Sequence, residues 1–258
     1  MNEVALWNTL PMSATATPRQ QKLETPEMVW HTFSDVDAWR WASAVAIAAE
    51  LRRDLQQQAR ARLLLSGGST PAPVYRALAK APLEWDRIDV ALVDERWVLP
   101  DDPDSNARLV RTELLTHHAA SARFEPMTQP GRTIEQAVAV ANAHGRQPAS
   151  VIVLGMGEDG HTASLFPHMP GLPVALASAQ PYVAVDASGC AGAGRWPRRI
   201  SLTPAGLRMG RARLLLIRGP RKRELLAQAL ASRDVLQWPV LAAFDETHQV
   251  PLQVYWCP

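Results

Sequence analysis

The sequence predicts an α/β protein built on a largely parallel sheet. Three observations carry that expectation. Short apolar runs, Leu63–Leu65, Ile88–Val93, Val151–Leu154 and Arg213–Ile217, recur along the chain with the look of buried strands. Segments with apolar residues at helical spacing lie between them. Each run stops at a cluster of glycine, hydroxyl or charged residues, and in an open parallel sheet such strand ends share one edge, where ligands bind.

The elements follow in order. Residues 1–27 include PMSATATPRQ, rich in Pro, Ser, Thr and Ala with no sustained period, and read as a poorly ordered tail. Residues 28–258 read as one domain. Met28–Phe33 alternates as a first strand does. Asp35 is placed to cap a helix reaching about Ala59, with Trp39, Val45, Ile47, Ala48 and Leu51 on its apolar positions. After the Leu63–Leu65 strand comes the loop Ser66, Gly67, Gly68, Ser69, Thr70, with Pro71 expected to open a helix that Thr70 caps. Such a loop offers backbone N–H groups, hydroxyls and the positive end of a helix to a phosphate. It lacks the Gly-Lys-Ser/Thr ending of a Walker loop and the Gly-x-Ser-x-Gly of a nucleophile elbow.

The strand Ile88–Val93 ends on Asp94, Glu95 and Arg96, three charges that form either a solvated rim or the lining of a polar site. Asp104 or Ser105 can cap a helix over Asn106–His117, and another helix spans Ile134–His144. Residues 170–196 read as loop around a weak strand, PYVAVDA. WPRRISLT is a strand carrying Arg198 and Arg199, and Pro204 opens a short helical segment. Beyond Arg213–Ile217, Lys222 falls in the first turn of a helix, where a cation opposes the helix dipole unless an anion binds nearby. VPLQVYW is the last strand.

The stretch SVIVLGMGEDGHTASLFP, residues 150–167, organises the rest. A buried strand breaks at Gly155 and Gly157, which permit a sharp turn and the close approach of a ligand to the backbone. Asp159 and His161 follow directly. The turn reads either as a plain junction between strand and helix or as an acid and an imidazole held at the ligand-binding edge. If the four polar strand ends converge, one crevice holds a Gly/Ser/Thr loop, basic residues, carboxylates and a histidine, a set suited to acid/base chemistry on a small phosphorylated substrate.

Composition bounds the alternatives. A net charge of +2 is too small to point to nucleic acid or an anionic membrane. Cys190 and Cys257 form no Cys-x-x-Cys pair, so neither a metal site nor a disulfide framework is expected. His161 and His168 are badly spaced for joint ligation from one helix face, and His117 with His118 resembles a solvated helix end; no metal and no cofactor is expected. No apolar run approaches the roughly 18 residues of a membrane span, and the N-terminus lacks the pattern of a signal peptide. A cytoplasmic monomer or small homo-oligomer is the expectation.

The segments SGGSTP, VDERWV with Asp104–Asn106, GMGEDGHTASLFP, RRISLT and RGPRKRELL together resemble the 6-phosphogluconolactonases, over about residues 28–244. RISLT stands for a commoner RITLT, and RGPRK for a loop that usually carries an acid before the lysine. The resemblance implies a three-layer α/β/α sandwich, related to the glucosamine-6-phosphate deaminases and ribose-5-phosphate isomerases. It also implies metal-independent hydrolysis of 6-phospho-D-glucono-1,5-lactone in the oxidative pentose phosphate pathway. By position it makes His161 the general base, places Asp159, Asp94 and Glu95 about the polar site, and gives Arg96 a substrate contact. Ser66, Gly67, Gly68, Ser69, Thr70, Arg199 and Lys222 fall to the phosphate and the lactone oxygens, without deciding which basic residue serves which. Two alternatives stand beside it. A deaminase of this fold ends the central motif in Asn-Glu-Pro, where this chain has Leu165, Phe166, Pro167. A non-catalytic sugar-phosphate sensor needs an added DNA-binding module, for which residues 1–27 are too short.

Overall fold

Strand burial sets the architecture. In the computed structural model, which describes residues 28–244 and 250–258, every residue of β2 (Ala61–Leu65), β3 (Ile88–Leu92) and β6 (Ala149–Leu154) is buried. A strand without an exposed face must be covered on both sides, so the sheet is the middle of three layers. Its order is β1-β10-β9-β6-β2-β3-β5, with β1 at Met28–Thr32, β5 at Arg123–Phe124, β9 at Gly210–Arg218 and β10 at Leu252–Cys257. All of its pairings are parallel. The expected tail, residues 1–27, lies outside the described residues, as do residues 245–249 of the last loop.

Helix α1 (Val36–Leu55) begins where Asp35 accepts a hydrogen bond from the Ala38 N–H. Trp39, Ile47, Ala48 and Leu51 are buried from it, each large apolar side chain contributing about 1.5–3 kcal/mol. The Trp39 indole donates to the Tyr255 carbonyl and ties α1 to β10. Helix α2 (Ala72–Leu78) starts one residue later than expected: Pro71 is its N-cap residue, and Thr70 makes no capping bond. Helix α3 (Asn106–Glu113) is capped by Ser105 and stops four residues before His117, which begins a separate 3₁₀ turn with φ of 49°. Helix α4 (Ile134–Gly145) starts with a reciprocal capping box between Thr133 and Gln136.

Two elements escape sequence reasoning. Strand β5 has two residues, and helix α5 (Leu172–Ala177) lies in the stretch expected to be loop. The larger difference concerns Asp94–Arg96. These residues do not merely trail the third strand; they form β4 of a second, three-stranded sheet, β4-β8-β7. There β4 runs antiparallel to β8 (Arg198–Leu202), which pairs with β7 (Tyr182–Asp186). Helix α6 (Pro204–Leu207), capped by Thr203, and helix α7 (Pro220–Ser232) complete the chain's helices among the described residues. None of these is long and apolar enough to cross a membrane.

Candidate active site

The chain runs β2, β3, β5 to one side of the sheet and then returns to β6 on the other side of β2. That reversal opens a crevice beyond the carboxyl ends of β2 and β6, the place where open α/β sheets bind ligands. A cavity of about 230 Å³ lies there. Every site residue expected from the sequence lines it except Asp159 and Glu95.

No helix starts after β6. The chain turns through residues 155–161, closed by the Gly157 N–H donating to the His161 carbonyl and the Thr162 hydroxyl donating to the Gly155 carbonyl. Asp159 Oδ1 lies 2.5 Å from His161 Nδ1 and also accepts from the His161 backbone N–H. This bond places the ring proton on Nδ1 and leaves Nε2 as the acceptor. Burial alone would raise the Asp159 carboxyl, but hydrogen bonds and charge from His161 outweigh it and hold the group below the usual aspartate range. The glycines fit around this pair. A Cβ on Gly157 would stand 2.1 Å from His161 Nδ1, and one on Gly192 would stand 2.3 Å from Asp159 Oδ2. The close approach that Gly157 permits is therefore that of the protein's own acid and imidazole. Behind the imidazole the Phe166 ring packs at 4.4 Å between centroids, and the Arg199 guanidinium lies 5.1 Å from the centroid of the same Phe166 ring.

Asp94, Glu95 and Arg96 separate in role because alternate residues of a strand point to opposite faces. Asp94 and Arg96 line the cavity, while Glu95 is fully buried behind it. Glu95 accepts from the backbone N–H groups of Arg96, Asn106 and Ala107 and from the Ser105 hydroxyl. Burial pushes its carboxyl up to about 7 against the pull of these four donors. Glu95 thus anchors the start of α3 from behind the cavity and is not part of its lining, where the sequence placed it among the substrate contacts. Asp94 accepts from Ser164 Oγ at 2.5 Å. Arg96 donates to the Asp104 carbonyl and to Asn106 Oδ1.

Asn106 is the cavity residue that sequence reasoning left without a role. Its amide nitrogen donates to the Asp94 carbonyl at 2.8 Å, and its side chain occupies the space a Cβ on Gly67 would need, at 1.9 Å. The glycine at 67 is the signal that something must pack there.

The loop after β2 keeps its donors open. Among the described residues, the backbone N–H groups of Gly67, Gly68, Ser69 and Thr70 have no protein acceptor, and the buried Ser66 hydroxyl has no partner. Lys222 Nζ donates to the Met156 carbonyl at 2.6 Å, leaving two of its three donors. Burial pulls the ammonium below the ordinary lysine value, partly offset by Glu158 and Asp159. Arg199 is more committed: Nε and Nη2 donate to the carbonyls of Trp196 and Ala193, and Nη1 has only a 3.5 Å contact with Ser164 Oγ. Among the described residues no group of three or more His, Cys, Asp or Glu side chains is arranged to hold a metal ion.

A family profile described as glucosamine-6-phosphate isomerases/6-phosphogluconolactonase matches residues 34–256. The chain belongs to this family. Within it, the chain is 51% identical over 226 residues to a 6-phosphogluconolactonase of Xylella fastidiosa, an alignment covering 86% of this chain and 93% of that one. It is 40% identical to a 6-phosphogluconolactonase of Pseudomonas aeruginosa, covering 83% and 89%. A 6-phosphogluconolactonase crystal structure from Shewanella baltica superposes with a TM-score of 0.83 at 32% identity, over 90% of this chain and 99% of that one. A monomeric glucosamine-6-phosphate deaminase matches with a TM-score of 0.69 at 19% identity, over 88% and 96%, a likeness of fold. The family's shared α/β architecture is the one described above.

Proposed function

We propose that this enzyme hydrolyses 6-phospho-D-glucono-1,5-lactone to 6-phosphogluconate, with His161 as the general base. The observation that carries the reading is the Asp159–His161 pair, which leaves Nε2 free to accept a proton in a crevice that also holds three cationic side chains, Arg96, Arg199 and Lys222, and a loop of open N–H donors. In the first step Nε2 takes a proton from water as its oxygen attacks the lactone carbonyl carbon. A cation from Arg96 or Lys222 stabilises the developing oxyanion. In the second step the carbon–ring-oxygen bond breaks, and the imidazolium returns its proton to the departing ring oxygen. Asp159 keeps the ring in one tautomer and stabilises the charged form between the two steps. The phosphate falls to the donors of residues 67–70 and to whichever of Arg96 and Lys222 does not face the carbonyl. A lactone carbonyl is already activated, so a base supplying roughly 10²–10⁴-fold with an oxyanion contact suffices.

Phe166 argues against the deaminase alternative. It stands where deaminases of this fold carry a glutamate, it is fully buried, and it offers His161 a ring face instead of a second proton-transfer group. Assaying the purified enzyme with phosphorylated and unphosphorylated gluconolactone, and for ammonia release from glucosamine 6-phosphate, tests the reading. Fast opening of the phosphorylated lactone without ammonia is expected. Ammonia release at a rate comparable to lactone opening, or no acceleration of lactone opening over the spontaneous rate, overturns it.

A further inference from the structure

A second cavity, of about 470 Å³, lies under α4 at the β5 edge of the seven-stranded sheet and shares no residue with the crevice at the strand ends. Its volume is in the range of small-molecule sites. Three guanidinium groups line it, those of Arg62, Arg123 and Arg132, against one carboxylate, Glu125. Glu125 is shared: it lies 3.2 Å from Arg62, 3.6 Å from Arg123 and 3.0 Å from His144 Nδ1. The nearby carboxylate of Asp89 is held at two oxygens by Arg60, besides its contact with Arg123. Arg132 makes no ion pair among the described residues. Arg62 is 6% exposed, and its Nε finds no acceptor although Nη1 donates to the His144 carbonyl. A buried cation short of acceptors is costly, and this cluster carries more positive than negative charge. Phe124, Met127 and Val140 give the wall an apolar part, beside the polar Gln129 and His144. Val140 is 37% exposed on a helix whose Ile134 and Ala137 are buried.

We propose that this cavity is a second binding site, for a small organic anion: a phosphate or carboxylate head against the arginines and a short apolar body against Phe124, Met127 and Val140. Guanidinium forks suit either head group. The site is separate from the crevice and does not rest on the lactonase reading. Tyr182 joins the two regions, since it lines this cavity and donates its hydroxyl to the carbonyl of Leu92, two residues before Asp94.

The test is calorimetric titration of the full chain with phenyl phosphate and, separately, phenylacetate, alongside amide resonance shifts of Val140 and Ala141. The Arg132→Glu variant reverses one cation at the half-exposed rim, just ahead of the Thr133 cap, where an acid is compatible with the helix start. Saturable binding of at least one probe is expected, with shifts at Val140 and Ala141, weakened about tenfold or more by Arg132→Glu. Lys222→Ala, which alters only the crevice, is expected to leave that binding within about twofold. Phenyl phosphate and phenylacetate arms report which head group is preferred, and either result supports the site. No saturable binding of either probe, binding indifferent to Arg132→Glu, or binding abolished by Lys222→Ala overturns the proposal.

Discussion

Replacing Asp159 by asparagine is expected to lower kcat by about 10- to 100-fold, and to have no further effect once His161 is alanine. The carboxylate accepts twice on one oxygen, from Nδ1 at 2.5 Å and from the His161 backbone N–H at 3.1 Å. An amide of the same size keeps one acceptor and loses the charge. Hydrogen bonds to charged groups are worth about 1.5–3 kcal/mol, and each 1.4 kcal/mol is about tenfold in rate. Rotation to a new contact is blocked by the backbone of Gly157 and Gly192, which leaves no room even for a methyl group. KM is expected to change little, because Asp159 does not line the cavity. The assay is acid release from the phosphorylated lactone, corrected for spontaneous opening, on Asp159→Asn, His161→Ala and the double variant. Circular dichroism checks the fold of each. Losses that multiply in the double variant, or a kcat of Asp159→Asn near that of the parent, would refute an acid acting through the imidazole.

Lys222→Ala is expected to weaken kcat/KM for phosphorylated lactone by about 1.5–3 kcal/mol and to affect the unphosphorylated lactone less; equal losses would remove the phosphate role. Gly157→Ala should fold yet lose activity at least as severely as Asp159→Asn, since the new Cβ would overlap both members of the pair, and parent-like turnover would contradict that geometry. Glu95→Gln should cost about 2–4 kcal/mol in urea unfolding, because an amide cannot accept from three backbone N–H groups and a hydroxyl, with KM in the surviving protein little changed. A raised KM at unchanged stability would return Glu95 to the substrate. Stability should also carry the sign of Asp159: its folded pKa lies below the unfolded value, so its contribution is present above about pH 4 and fades as pH falls through the folded value. The stability gap between parent and Asp159→Asn should therefore narrow on acidification, and a gap that widens would be inconsistent with the paired carboxylate.

Local patterns in the chain determined much of this protein. Apolar runs bounded by turn residues marked the buried strands, and Asp35, the pair Asp104 and Ser105, and Pro204 marked helix starts, because strand burial and capping depend on residues only a few positions apart. The Gly-rich turns and the Asp159–His161 spacing were legible for the same reason. Tertiary structure decided what those residues do. Asp94 pairs with Ser201 and Arg96 with Arg199, more than a hundred residues away, and that pairing sends Glu95 into the interior while its neighbours face the crevice. Which of three adjacent charges faces the crevice is set by the parity of a strand whose partner no local pattern names. Likewise Arg199, a plain candidate for anion binding in the sequence, spends two donors on the chain at Ala193 and Trp196. Buried donors take the nearest acceptors, and only the folded chain determines where those are.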